Sequence, residues 1–229
     1  MHACVIALAM LIVLCRERFD SRFSSSKSLA RASCELVESA VTFEGLACGR
    51  YRAILADPTW DFCTWSARGR GRSPERHYRS TLRLAEVKQL PVASLAARDC
   101  ALFLWATWPC LFAALDVIAA WGFAYKTMGF LFVKETRSGN GLHFGCGYWT
   151  RANSEPCLLA TRGHPKRLHA DVPQVILEPR REHSRKPDCV HDRIERLVAG
   201  PYLELFARTR RAGWEPWGDE LDKFAEAAE

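Results

Sequence analysis

Residues 52–60 read Arg-Ala-Ile-Leu-Ala-Asp-Pro-Thr-Trp, a short apolar strand that runs straight into an acidic turn. Asp57 then stands at the strand's carboxyl end, where open α/β sheets bind their ligands. A carboxylate there meets a ligand on one side and has buried backbone behind it. Pro58 fixes φ and offers no amide to a strand ladder, so the carbonyls of the turn are free to point outward. Trp60 offers a flat face. An acceptor carboxylate, acceptor carbonyls and a ring together suit an exocyclic amine on a flat heterocycle. The same four residues also serve as a plain strand-to-turn signal, and on their own they do not choose between the two readings.

Outward from this stretch, Cys100-Ala-Leu-Phe-Leu-Trp105 is a second continuous apolar run, of the kind buried on both faces of a parallel sheet. Pro109 opens a helix with Leu111, Leu115, Ile118 and Ala119 at helical spacing, and Gly122 closes it. Strands are expected at Met128–Val133 and Pro156–Thr161. Pro187 opens a second helix carrying Val190, Ile194, Leu197 and Val198, ended by Gly200, and Tyr202–Ala207 is the last strand. Strands alternating with helices imply βαβ units and a mostly parallel sheet. The expected architecture is one doubly wound α/β domain over residues 39–224 with helices on both faces, and residues 225–229 as a tail.

The chain has 229 residues, 48% apolar and 25% charged, which excludes a disordered, collagen-like or polytopic membrane protein. Lysine plus arginine less aspartate plus glutamate is 32 − 26 = +6, a mild excess that fits a polyanionic partner. Ten cysteines are spread so that no two lie closer than ten residues, so no C-x₂₋₄-C zinc pair exists. Reduced, mostly buried thiols are expected, hence a reducing, cytoplasmic setting. No metal site is expected either, because the seven histidines show no ligand spacing. The apolar run Ala3–Cys15 is too short to span a bilayer, which needs about 20 residues, and membrane association is not expected. It lacks the basic residues that precede a signal sequence's apolar core. Residues 1–38 read as a weak anchor or docking helix with a Ser/Arg-rich linker, or as residues upstream of the functional start. They are left out of the fold.

Further blocks follow in order: Arg76-His77-Tyr78, Leu102-Phe-Leu-Trp105, Phe132-Val-Lys134, Asn153-Ser-Glu155-Pro156, His183-Ser-Arg-Lys186-Pro187-Asp188, Leu203-Glu204-Leu-Phe206, and Gly213-Trp214 through Trp217-Gly218-Asp219-Glu220. Together with Asp57–Trp60 they resemble the MT-A70 family of adenine-N6 methyltransferases, especially its short bacterial and phage members, from about Tyr51 to Phe224. The resemblance implies a Rossmann-like methyltransferase fold, S-adenosylmethionine as cofactor, and Asp57, Pro58, Thr59 and Trp60 as the catalytic tetrapeptide. It implies that Asp57 accepts a hydrogen bond from the target amine or from the cofactor's amino group. Trp60 and Tyr78 are implied as base-side contacts, and Lys186 as the partner of the cofactor carboxylate at a helix start that itself attracts anions. Glu204, Arg208, Asp219 and Glu220 are implied around the ribose and the methionine part. No strong base is needed, because positioning supplies most of the rate.

Read as residues rather than family positions, Lys186 and Arg185 also fit a solvated helix start, and Arg208, Arg210 and Arg211 an exposed basic turn. Glu204 lies within an apolar strand, where a carboxylate is rarely buried without a partner, which favours function. Trp105 and Trp108 read as core. No G-x-G follows Leu203–Arg208, which disfavours a dinucleotide enzyme. Between Ser66 and Arg83 six arginines face one acid, and Arg68, Arg70 and Arg72 are candidate phosphate contacts around a flipped base. A second basic cluster runs from Arg162 to Lys186. DNA is the expected polymer. Thr59 departs from the proline of the resembled motif, and Asp219 from its asparagine. Two alternatives therefore stand beside the leading one: a catalytically impaired homologue that binds nucleic acid, and an RNA adenine-N6 methyltransferase.

Overall fold

In the computed structural model, which describes residues 43–60, 83–145, 147, 149–182, 184–221 and 223–224, strand β1 (Tyr51–Ala56) lies inside a seven-stranded sheet, with a strand on either side. The other strands are β2 (Ala96–Trp105), β3 (Ala124–Glu135), β4 (Ser154–Arg162), β5 (Val175–Pro179), β6 (Tyr202–Leu205) and β7 (Trp214–Trp217). Their spatial order is β5-β3-β4-β2-β1-β6-β7. β1 runs parallel to β2 and β6, β6 to β7, and β3 to β5, while β4 is antiparallel to both neighbours. The expected mostly parallel sheet is therefore present, with β4 alone reversed. That reversal matters for the site. It brings the amino-terminal residues of β4 to the same edge as the carboxyl ends of β1, β2, β3 and β6.

Helices α1 (Leu84–Gln89), α2 (Val92–Leu95), α3 (Leu111–Ala120) and α4 (Cys189–Leu197) complete the described elements, with a 3₁₀ turn at Trp108–Cys110. Alternation along β1 divides its residues between the two faces. Ala53 and Leu55 join a buried cluster with Phe103, Phe130, Ile176 and the α4 residues Val190 and Ile194. Ile54, Ala56, Leu102 and Leu104 point the other way and are equally buried. Outside the α4 cluster, α1 and α3 bury Val87, Ala114, Val117 and Ile118, and the Trp121 indole N–H donates to the Val87 carbonyl at 2.8 Å. Helices thus cover both faces, as the sequence pattern predicts.

The expectation for the tryptophans is half met. Trp105 is core at 1% exposed, but Trp108 is 46% exposed. It opens the 3₁₀ turn beyond the end of β2, past the covered part of the sheet, and donates to Ser154 Oγ at 3.1 Å. Cys100, Cys110 and Cys157 are buried free thiols, Cys189 is partly buried and Cys48 exposed. Burial pushes the Cys100 thiol up to about 12. No helix among the described residues is long and apolar enough to cross a membrane.

Candidate active site

β1 connects onward to β2 on one side of it, and β6 connects to β7 on the other, so a crevice opens beyond the carboxyl ends of β1 and β6. Asp57 follows β1 directly and faces this crevice. Lys186, in the turn before α4, donates to both its oxygens at 2.8 Å. Arg208, just past β6, donates from one terminal nitrogen to Asp57 Oδ2 and to the Ser184 carbonyl, each at 3.0 Å. Its Nε lies 3.9 Å from Glu220. At 9% exposure Arg208 is the most deeply placed charge in the cleft, and a guanidinium in that position needs such partners.

The chain of charge continues on the other side. Lys186 lies 3.6 Å from Glu155 Oε2 and 5.5 Å from the centre of the Trp105 ring, and Lys134 donates to Glu155 Oε1. Lys134 lies near the end of β3 and Glu155 near the start of β4, where Glu155 pairs with Phe132, so the reversed strand brings the two charges diagonally within reach. The result alternates in sign: Lys134, Glu155, Lys186, Asp57, Arg208, Glu220. Burial works against the charge on Lys186, but Asp57 and Glu155 outweigh it and hold the ammonium above its usual range. Burial likewise opposes ionisation of Glu155, yet Lys186 and Lys134 hold its carboxyl below the usual range. Both groups stay charged at neutral pH.

Glu204, on β6, also lines the cleft and pairs with His191 of α4 at 3.0 Å. Phe206 and Ser184, both beside the cleft, hold left-handed backbone at φ 62° and 65° without being glycine. Such strain persists only where the surroundings fix it, and it gathers at working sites. The cleft holds about 480 Å³ of empty space counting the part open to solvent.

Of the residues singled out from the sequence, Asp57, Lys186, Glu204 and Arg208 line this one cleft, and Glu220 joins it through Arg208. Asp219 is exposed and does not line it. Pro58 is buried and Thr59 half-buried. Trp60 is 8% exposed, its indole N–H donating to the Trp105 carbonyl at 2.9 Å, so the ring is built into the wall where β1 and β2 end. Tyr78, Arg68, Arg70 and Arg72 lie outside the described residues. Lys134, Glu155 and His191 belong to the site as well, although the sequence pattern gives them no role. A charge at the end of an apolar strand was the available signal for the first two.

A crevice at the switch point of a mostly parallel sheet, with a carboxylate held between two cations, fits the α/β architecture of methyltransferases. The MT-A70 family profile matches residues 51–220, and the chain belongs to that family of methyltransferases. It is 32% identical over 189 residues to the type II methyltransferase M.MunI of Mycoplasma sp, covering 75% of this chain and 78% of that protein. It is 30% identical to an N(6)-adenosine-methyltransferase MT-A70-like protein of Arabidopsis thaliana and 28% to the human N(6)-adenosine-methyltransferase catalytic subunit METTL3. Each of these matches covers 76% of this chain but only 24% and 29% of those longer proteins.

Proposed function

We propose that this chain is an S-adenosylmethionine-dependent methyltransferase that modifies the N6 amine of adenine in DNA. The observation that carries the reading is Asp57, set between Lys186 and Arg208 with Glu204 lining the same crevice. This donor set fits the cofactor. Two cations suit its carboxylate, Asp57 suits its ammonium, and Glu204, an acceptor only, suits a ribose diol. When bound, the cofactor supplies a methyl group on a positive sulfur, which an amine accepts without a strong base.

The remaining work falls to the chain. Asp57 and the carbonyls of the Pro58–Thr59 turn accept hydrogens of the adenine amine and orient its lone pair, so position replaces basicity. Tyr78 and Trp60 bound the base, and Arg68, Arg70 and Arg72 meet phosphates beside it. The preference for DNA follows the short bacterial member, which this chain matches over most of both lengths. The matched proteins named for N(6)-adenosine make RNA the alternative.

Calorimetry should show S-adenosylhomocysteine binding that weakens at least about tenfold in Lys186→Ala, the size of one charge-assisted hydrogen bond. Tritiated-methyl transfer should then go to adenine-containing DNA in preference to RNA of the same sequence. Saturable NAD binding without affinity for S-adenosylhomocysteine would sink the reading. Transfer to RNA alone would replace the polymer and leave the chemistry standing.

A further inference from the structure

Glu204 reaches the crevice with its carboxylate already held. Its Oε2 lies 3.0 Å from His191 Nε2, and among the described residues His191 is the only hydrogen-bond partner of that side chain. Both side chains are mostly buried, at 12% exposed for the histidine and 16% for the glutamate. The imidazole is itself fixed. Its ring meets Trp214 edge-on at 4.8 Å with the planes at 90°. Trp214 is pinned in turn by stacking on Tyr202 and by donating from its indole to Glu195 at 2.8 Å.

Neutral imidazole donates through one nitrogen only. Nε2 has the closer acceptor, a carboxylate oxygen at 3.0 Å against the Asp188 carbonyl oxygen at 3.4 Å from Nδ1, so the donated proton belongs on Nε2. That bond uses Glu204 Oε2 and leaves Oε1 with no hydrogen-bond partner among the described residues, on a side chain that lines the crevice. A glutamate held in one rotamer before its ligand arrives loses less freedom on binding than a mobile one.

We propose that His191 is a positioning residue for the ribose of the bound cofactor. By donating to Glu204 Oε2 it aims Oε1 at a ribose hydroxyl. The proposal rests on the cofactor reading above and adds a residue from a different element, thirteen positions earlier in the chain.

The test is calorimetric titration of the full chain with S-adenosylhomocysteine and with its 2′,3′-dideoxy analogue. His191→Phe, which keeps an edge toward Trp214, should weaken S-adenosylhomocysteine about tenfold and the dideoxy analogue less than about twofold. His191→Gln restores a donor and should return the affinity to within about threefold of the native chain. In a Glu204→Gln background, adding His191→Phe should cost less than about twofold further, because the two residues act as one unit. If His191→Phe fails to fold, the glutamine variant decides: loss of the native preference for the hydroxylated ligand overturns the proposal, and retention supports it. Equal losses for both ligands in His191→Phe mean that the ring only packs, and overturn it. Native protein that binds neither ligand overturns the cofactor reading itself, whereas native binding without ligand-selective loss overturns the positioning role alone.

Discussion

Removing the carboxylate from position 57 would leave Lys186 and Arg208, 17% and 9% exposed, facing each other without their shared partner. Breaking a buried pair by deleting one member costs about 3–5 kcal/mol. The sequence alone presents Asp57 as a ligand-facing residue whose loss spares the fold. The geometry gives it a second duty. Asp57→Ala should therefore lower stability in urea by about 3 kcal/mol. Asp57→Asn, which keeps an acceptor between the cations, should lose less than half as much, yet lose methyl transfer just as fully. Equal stability of Asp57→Ala and the native chain would show that the triad is weaker than its distances imply. Asp57 and Lys186 were legible at a strand end and a helix start within recognisable blocks, and Glu204 as a carboxylate inside an apolar strand, whereas the burial of Arg208 came only with the fold. Glu155 carried a signal, a charge near the start of an apolar strand, but its partners Lys134 and Lys186, like the Glu204 partner of His191, come from other elements and meet it only on folding.

Among the elements, β1, β2 and α4 announce themselves by continuous or periodic apolar residues. β5 and β7 do not. Both are edge strands: Val175 and Leu177 of β5 stay half exposed, and β7 is Trp-Glu-Pro-Trp, whose proline argues against a strand unless it lies at an edge. The reversal of β4 did leave a trace: among the described residues no helix lies between β3 and β4, and two consecutive strands without a crossover helix pair antiparallel. Gly218 shows how tightly β7 is joined to the site. A Cβ there would stand 2.6 Å from the Ala207 carbonyl oxygen and 2.8 Å from its nitrogen, against backbone that cannot yield. Ala207 also donates to the Trp217 carbonyl at 2.9 Å. Gly218→Ala should push the turn carrying Glu220 away from Arg208, costing about 1–3 kcal/mol in urea unfolding and several-fold in S-adenosylhomocysteine affinity. A variant native in both respects would mean that the turn shifts freely.

At the scale of the whole molecule the net charge of +6 is modest, so any strong hold on a polyanion must come from local density rather than overall field. The arginines between positions 66 and 83 are the densest such stretch in the sequence. Replacing Arg68, Arg70 and Arg72 together with alanine should flatten the dependence of log affinity on log salt by up to about 3 units, one for each phosphate no longer neutralised. An unchanged slope would return these residues to ordinary solvated surface. The overall architecture was readable because a doubly wound sheet writes its alternation along the whole chain. The arginines proposed to meet the polymer are readable only as composition.

The bond between Asp57 and Arg208 joins positions 151 residues apart. On a ribosome adding 5–20 residues per second, the aspartate emerges about 8–30 s before the arginine that will neutralise it. Throughout that interval β1 lacks β6, which pairs along one of its flanks, and the nascent sheet carries an open, apolar edge. Truncated translation products that stop before residue 202 would keep that edge permanently and could never close the crevice. Quality control would therefore meet them as aggregation-prone chains and not as weak enzymes.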